Sequence, residues 1–146
     1  PWVAEAVYLK TNQGINAASM AALMRSVVDA ASYEDKLEIL RSHPDLAGRL
    51  SSADLTKSSR SEQAEAGLDR CTHEELKQFR RLNGIYINKF GFPFIFAVKG
   101  FHRTEILGAF HIRAGHGRGE EFKTAIEQVH RIARLRLETI ADEYQD

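Results

Sequence analysis

The sequence predicts an all-α protein, a compact single-domain bundle of about six to eight helices. Apolar residues recur at three- and four-residue steps through most of the 146-residue chain, which is the spacing of amphipathic helices. The only apolar run that resembles a strand is Phe94 to Val98, and one such run has no partner with which to form a sheet. Because no repeat or low-complexity linker divides the chain, we expect one domain over residues 1–146.

The N-terminal half of the chain contains three predicted helices. The first spans about residues 17–31, where apolar residues recur at helical spacing: Met20, Leu23, Met24, Val27 and Val28. The second starts at Ser32, which forms a capping-box pattern with Asp35, and must end before Pro44. Ser59 and Glu62 have the same spacing and open a third, short helix that ends near Gly67.

The C-terminal half has stronger helix signals. Thr72 and Glu75 form a capping-box pattern that opens a helix ending near Gly91, with a buried stripe of Leu76, Phe79, Leu82 and Tyr86. The Phe92-Pro93 pair then disfavours regular helix, so we expect a buried, extended FGFPFI connector. Thr104 is the expected cap of a helix through Arg113, and the last helix covers about residues 120–142 after a glycine-rich break.

Composition excludes several classes of function. The chain has twenty basic and twenty acidic residues, so no global field favours nucleic acid. No apolar run approaches the roughly 20 residues of a membrane-spanning helix. The single cysteine, Cys71, cannot form an internal disulfide and fits a reducing compartment. We therefore expect a cytoplasmic protein without nucleic-acid or membrane partners, or a peroxisomal one if the chain belongs to a longer eukaryotic protein.

The clustered histidines do not predict a metal site. His102, His111 and His116 match no established ligand spacing such as HExxH. The glycines of residues 115–119 lack the GxxxxGK[ST] pattern and the preceding strand of a phosphate loop. We expect no metal.

His43 is the first candidate for chemistry. The following Pro44 pushes it out of helical geometry, at a corner where a helix stops. A histidine held on a rigid corner can act as a general acid or base near neutral pH. A surface histidine in a simple turn is the competing interpretation.

A second candidate is the helix start at Ser59 and Glu62. A simple capping box is the competing interpretation of this pair. A helix N-terminus also presents free backbone N–H groups, which suit a carboxylate or ureido oxygen, and a capping glutamate can still face a ligand.

Arg136 is the third candidate, because it interrupts an apolar stripe on the last helix. The stripe consists of Phe122, Ile126, Val129, Ala133, Arg136 and Ile140, whereas Arg131 and Arg134 lie off it. A guanidinium that faces a core needs an anion, since an unpaired buried charge is very costly. That anion is either a structural carboxylate such as Glu62 or a carboxylate of the substrate, and spacing does not decide between them.

Several segments, taken in order, resemble one family. They are His43-Pro44-Asp45-Leu46-Ala47-Gly48, then Ser59-x-x-Glu62-Gln63-x-x-Ala66-Gly67-Leu68-Asp69, then Asn83-x-x-Tyr86-x-x-Lys89-Phe90-Gly91-Phe92-Pro93-Phe94-Ile95 and Ala97-Val98-Lys99-Gly100. The opening residues 1–5 and the closing residues 132–137 extend the likeness over nearly the whole chain. Together they resemble 2-oxo-4-hydroxy-4-carboxy-5-ureidoimidazoline (OHCU) decarboxylase.

This resemblance implies an all-helical homodimer without a metal or organic cofactor. It implies decarboxylation of a small ureidoimidazoline to (S)-allantoin, the third step from urate to allantoin. The family's catalytic histidine, glutamate and arginine fall on His43, Glu62 and Arg136. Its ligand contacts fall on Pro44, Ser59 and the backbone around Phe94 and Ile95.

Two other functions compete with this reading. A ureide hydrolase could use His43 and Glu62 to activate water, with allantoin-like ligands still bound. A non-catalytic helical module could instead display the Phe-rich segment to a partner.

Overall fold

A computed structural model describes residues 17–44, residue 46 and residues 67–143. These residues form helices and irregular segments without any strand, so the predicted all-α class is confirmed. The described part contains five α-helices, fewer than the six to eight expected for the whole chain, and one 3-10 turn. They are α1 (Ala17–Asp29), α2 (Tyr33–Ser42), the turn Leu68–Arg70, α3 (His73–Phe90), α4 (Arg103–Ala114) and α5 (Arg118–Glu143).

Local capping explains where α2 and α3 begin. The Ser32 hydroxyl accepts a hydrogen bond from the Asp35 N–H at 3.2 Å, as predicted. Thr72 and Glu75 form the predicted capping box, since the Thr72 hydroxyl accepts from the Glu75 N–H at 3.1 Å and the Glu75 carboxylate accepts from the Thr72 N–H at 3.0 Å. Helix α3 ends at Gly91, whose φ of 78° is a left-handed conformation that favours glycine.

The start of α4 differs from the prediction that Thr104 caps it. The capping residue is His102, whose ring nitrogen Nδ1 accepts from the Thr104 N–H at 3.3 Å. The Glu105 carboxylate completes a capping box by accepting from the His102 N–H at 3.2 Å. The ring of His102 therefore caps the helix, two residues before Thr104, whose hydroxyl was the expected cap.

Helix α5 packs against several of the other described helices. Helix α1 packs along it, α2 and α3 also contact it, and α3 packs on α4. The α1–α5 contact includes a hydrogen bond of 3.0 Å between His130 Nε2 and an Asp29 carboxylate oxygen, and an exposed ion pair between Arg25 and Glu127. None of the described helices is long and apolar enough to span a membrane.

The predicted stripe of α5 is rotated by about one residue. Its most deeply buried side chains are Glu121 and Ala125, with Ile126 next, whereas Ile140 at the far end is 48% exposed. The burial of Glu121 in this stripe was not predicted from the sequence.

Aromatic rings fill the core between α3, α4 and the connector of residues 91–102. Tyr86 presents its ring edge-on to Phe92, Phe94 and Phe110, and Phe94 stacks on Phe110 with ring centroids 3.9 Å apart. Residues 92–95 of the connector are all buried. The expectation of a buried, non-helical connector is confirmed.

Candidate active site

The corner at His43 is fixed by the end of α2. His43 has extended backbone angles (φ −69°, ψ 137°), and its N–H donates to the Leu40 carbonyl at 3.3 Å. The imidazole is half-buried, and Pro44 is exposed. Leu40 and Leu46, on either side of the corner, are 0% and 2% exposed, so both flanks of His43 are anchored in the core.

One contact of the His43 ring involves its Nδ1 atom. Nδ1 lies 3.1 Å from the Pro44 carbonyl oxygen, which can only accept a hydrogen bond. Nδ1 is therefore the donor in this contact. This arrangement suits a general base at Nε2, and a general acid once that nitrogen is protonated.

The connector shares a core with the His43 corner. Phe94 and Ile95 are 0% and 1% exposed and belong to the same buried cluster as Leu40 and Leu46. His43 and the Phe94-Ile95 segment, which are about 50 positions apart in sequence, therefore lie next to the same buried cluster.

Arg136 lies on α5 against the end of the connector. It lines a narrow cleft of about 10 Å³, room for about one water, together with Phe96, Ala97, Val98, Lys99, Ile132 and Leu135. The described walls of this cleft do not enclose a space large enough for a ureide. Arg136 is half-buried, whereas the Arg134 side chain is 65% exposed and pairs with Glu138 at 3.1 Å. The geometry therefore agrees with the choice of Arg136 over Arg134 as the inward-facing arginine.

Two predicted site residues, Ser59 and Glu62, lie outside the described residues. Their roles stay predictions, and so does the choice between Glu62 and a substrate carboxylate as the anion that Arg136 faces.

A buried polar network next to the connector was not anticipated. Glu121 is 0% exposed, and its carboxylate accepts from the Tyr86 hydroxyl at 2.6 Å and from Arg113 Nε at 2.7 Å. His116 Nδ1 lies 3.1 Å from the other carboxylate oxygen. Arg113, 5% exposed, also donates from Nη1 to the Ile95 carbonyl at 2.6 Å and lies 4.5 Å from the centre of the Phe94 ring. The network thus reaches the connector directly.

Burial and the hydrogen bond to Glu121 both raise the pKa of Tyr86 well above its ordinary value. The hydroxyl therefore stays protonated and remains a donor to the carboxylate throughout the physiological range. A sequence signal for this network did exist, because Arg113 and Glu121 each lie at helical spacing from core residues. Only the fold shows that they pair.

The three histidines that are clustered in sequence have separate positions in the fold. His102 caps α4, His111 is exposed, and His116 contacts Glu121. Within residues 17–44, 46 and 67–143, no group of three or more His, Cys, Asp or Glu side chains is arranged to hold a metal ion.

Comparison with known proteins gives a consistent result. The family model of OHCU decarboxylase matches residues 1–138. The 2-oxo-4-hydroxy-4-carboxy-5-ureidoimidazoline decarboxylase of Haloferax volcanii is 39% identical over 138 residues, which cover 94% of this chain and 79% of that protein. The enzyme of the same name from Halalkalicoccus jeotgali is 42% identical over 141 residues, covering 96% of this chain and 77% of that protein.

Solved structures agree with the sequence matches. A crystal structure of (S)-allantoin synthase superposes with a TM-score of 0.69 at 35% identity, covering 93% of this chain and 43% of that one. An OHCU decarboxylase crystallised in the presence of (S)-allantoin superposes with a TM-score of 0.76 at 23% identity, covering 96% and 90%, and supports the fold. From the match over residues 1–138 and the identity to these relatives, the chain belongs to the OHCU decarboxylase family.

Proposed function

We propose that this chain converts 2-oxo-4-hydroxy-4-carboxy-5-ureidoimidazoline to (S)-allantoin and carbon dioxide, as a carboxy-lyase of urate degradation. The observation that carries the proposal is the match to OHCU decarboxylases over residues 1–138. The position of His43, on a corner between the buried Leu40 and Leu46, supports its role as the acid–base group that such a reaction needs.

The chemistry of the substrate explains why side chains are sufficient. The carbon that loses carboxylate also bears a hydroxyl group and adjoins a ring C=N bond. As the C–C bond breaks, its electron pair moves into the ring and is accepted by the imine nitrogen, so no pyridoxal or thiamine sink is needed. The imine nitrogen takes up a proton. Loss of the hydroxyl proton and protonation of the neighbouring carbon on one face then give (S)-allantoin, so that one proton is taken up overall per carbon dioxide released.

Each proposed site residue has a role in that sequence. His43, assisted by Glu62, moves the protons. Arg136 grips a carboxylate or the ureido or ring oxygens through its planar fork. Pro44, Ser59 and the backbone around Phe94 and Ile95 position the ring and the ureido group. We propose that the chain works as a homodimer, which sedimentation of the purified chain tests. We also propose a cytoplasmic location.

A reconstituted assay tests the reaction. Hydroxyisourate is generated in situ, its hydrolase is added, and circular dichroism is followed with and without this chain. We expect rapid appearance of a single allantoin enantiomer with the chain, whereas the uncatalysed decay gives both. Allantoate or ammonia as product would establish the ureide hydrolase instead, and a folded chain without turnover would favour a non-catalytic module.

A further inference from the structure

The connector is held in place by side chains rather than by neighbouring strands. The Ile95 carbonyl accepts from Arg113 Nη1 at 2.6 Å, and the Ala97 N–H donates to Gln128 Oε1 at 2.8 Å. These two bonds come from different helices, α4 and α5, and they bracket one residue, Phe96. Buried backbone groups require partners, and here long side chains supply them.

The planarity of the peptide bond determines where the backbone of Phe96 points. The Ile95 carbonyl and the Phe96 N–H belong to one peptide unit, and the Phe96 carbonyl and the Ala97 N–H belong to the next. The described residues contain no cis peptide, so the two groups of each unit point in opposite directions. Arg113 holds the Ile95 carbonyl and Gln128 holds the Ala97 N–H, so the N–H of Phe96 points away from Arg113 and its C=O points away from Gln128.

We call this donor and acceptor the backbone edge of Phe96. Within the described residues, neither group makes a hydrogen bond. Phe96 also lines the cleft that contains Arg136. A ureide carries both N–H and C=O groups, so it can accept from the Phe96 N–H and donate to the Phe96 carbonyl.

The two side chains that hold the connector, Arg113 and Gln128, are positioned by the helices around them. Arg113 is fixed by its bond to the buried Glu121, which Tyr86 also contacts. A guanidinium can reach both the carboxylate and the Ile95 carbonyl because its donors form a rigid planar fork. Gln128 is half-buried on α5, two turns before Arg136. Helix α5 therefore carries both Arg136 and one of the two side chains whose hydrogen bonds bracket Phe96.

We propose that Arg113 and Gln128 are positioning residues that hold the backbone edge of Phe96 in register with Arg136, so that it binds the ureide or imidazolone amide of the substrate. The proposal rests on the proposed function for the identity of the ligand. Neither side chain touches the reacting atoms; both act through the connector.

Gln128 gives the sharper test, because it is uncharged and half-buried and its loss leaves no buried charge. Gln128→Met removes the acceptor for the Ala97 N–H, while Gln128→Glu retains an acceptor oxygen. Gln78→Met is the matched control, since Gln78 is also half-buried but lies on α3. The readouts are kcat and KM, the dissociation constant of (S)-allantoin, hydrogen exchange of the Ala97 amide, and the melting temperature.

We expect Gln128→Met to accelerate exchange of the Ala97 amide, weaken (S)-allantoin binding and lower kcat/KM by roughly tenfold or more, because small displacements of binding groups are costly. Gln128→Glu should restore most of this, and Gln78→Met should resemble the wild type. Arg113→Lys provides a second variant, which retains the positive charge beside Glu121 but not the fork, and should also weaken binding.

The failures of the two proposals are separable. Gln128→Met and Arg113→Lys proteins that are folded and match Gln78→Met in binding and kinetics would overturn the positioning role, even if the wild type is a decarboxylase. A wild type that binds (S)-allantoin without decarboxylating would overturn the proposed function, while loss of that binding in Gln128→Met would still support the positioning role.

Discussion

Replacing Glu121 by glutamine probes the buried network most directly. Glu121 is fully buried and receives hydrogen bonds from Tyr86 and Arg113, and Arg113 is itself only 5% exposed. The substitution preserves the shape of the side chain but removes its charge. Arg113 is then left as a buried cation without its counterion.

The expected cost follows from burial. Breaking one partner of a buried ion pair destabilises a protein by about 3–5 kcal/mol, because the other charge remains desolvated. We place Glu121→Gln near the lower end, since the amide oxygen still accepts one hydrogen bond. A loss of about 3 kcal/mol corresponds to a fall in melting temperature of roughly 6–12 °C for a chain of about this size.

The assay is thermal unfolding followed by circular dichroism, with a matched control on the same helix. Glu127→Gln makes the same chemical change at a side chain that is 58% exposed and paired with Arg25. Exposed ion pairs contribute little, so the control should melt close to the wild type. The reasoning is wrong if the two variants melt within about 2 °C of each other, a difference worth only about 1 kcal/mol.

Three further predictions concern the site and its surroundings. Arg136→Gln should leave the melting temperature nearly unchanged but greatly weaken turnover and (S)-allantoin binding, whereas Arg134→Gln should change neither; inactivity of the Arg134 variant instead would move the assignment by two residues. The hydrogen bond from the Thr72 N–H, with a further one from Arg103, lowers the pKa of Glu75 below its ordinary value near 4.5. The folded state therefore favours the carboxylate form of Glu75. We expect Glu75→Gln to lower the free energy of unfolding at neutral pH, and we expect this loss to disappear as the pH falls below about 4.5. Urea titrations that give the same loss at pH 7 and at pH 3 would contradict this. Activity should survive exhaustive chelation with EDTA, and a loss restored by zinc would show that a metal takes part.

Local chemistry made the helix boundaries predictable. The caps at Ser32 and Thr72 and the left-handed stop at Gly91 depend on residues within one turn of one another, so the sequence contains the whole interaction. The start of α4 was misplaced because a histidine ring competed successfully for the capping position assigned to Thr104.

Tertiary pairing was not predictable in the same way. Glu121 is bonded to Arg113, eight residues away, and to Tyr86, 35 residues away. Periodicity placed Phe122 and Ile126 inward, and it could not show that their neighbour Glu121 would be buried with a counterion. The same reasoning selected Arg136 because that residue interrupts the apolar stripe, and its role in the site stays a prediction. Ser59 and Glu62 lie outside the described residues, so their part in the site stays a prediction.

The central claim, decarboxylation by a positioned His43, is tested most directly by His43→Ala in the reconstituted circular dichroism assay. We predict a folded protein with an unchanged melting temperature and a rate lower by about 10²–10⁴-fold, the usual contribution of a general acid or base. Allantoin should then accumulate without an excess of one enantiomer. A folded His43→Ala protein that forms (S)-allantoin at the wild-type rate would contradict the account.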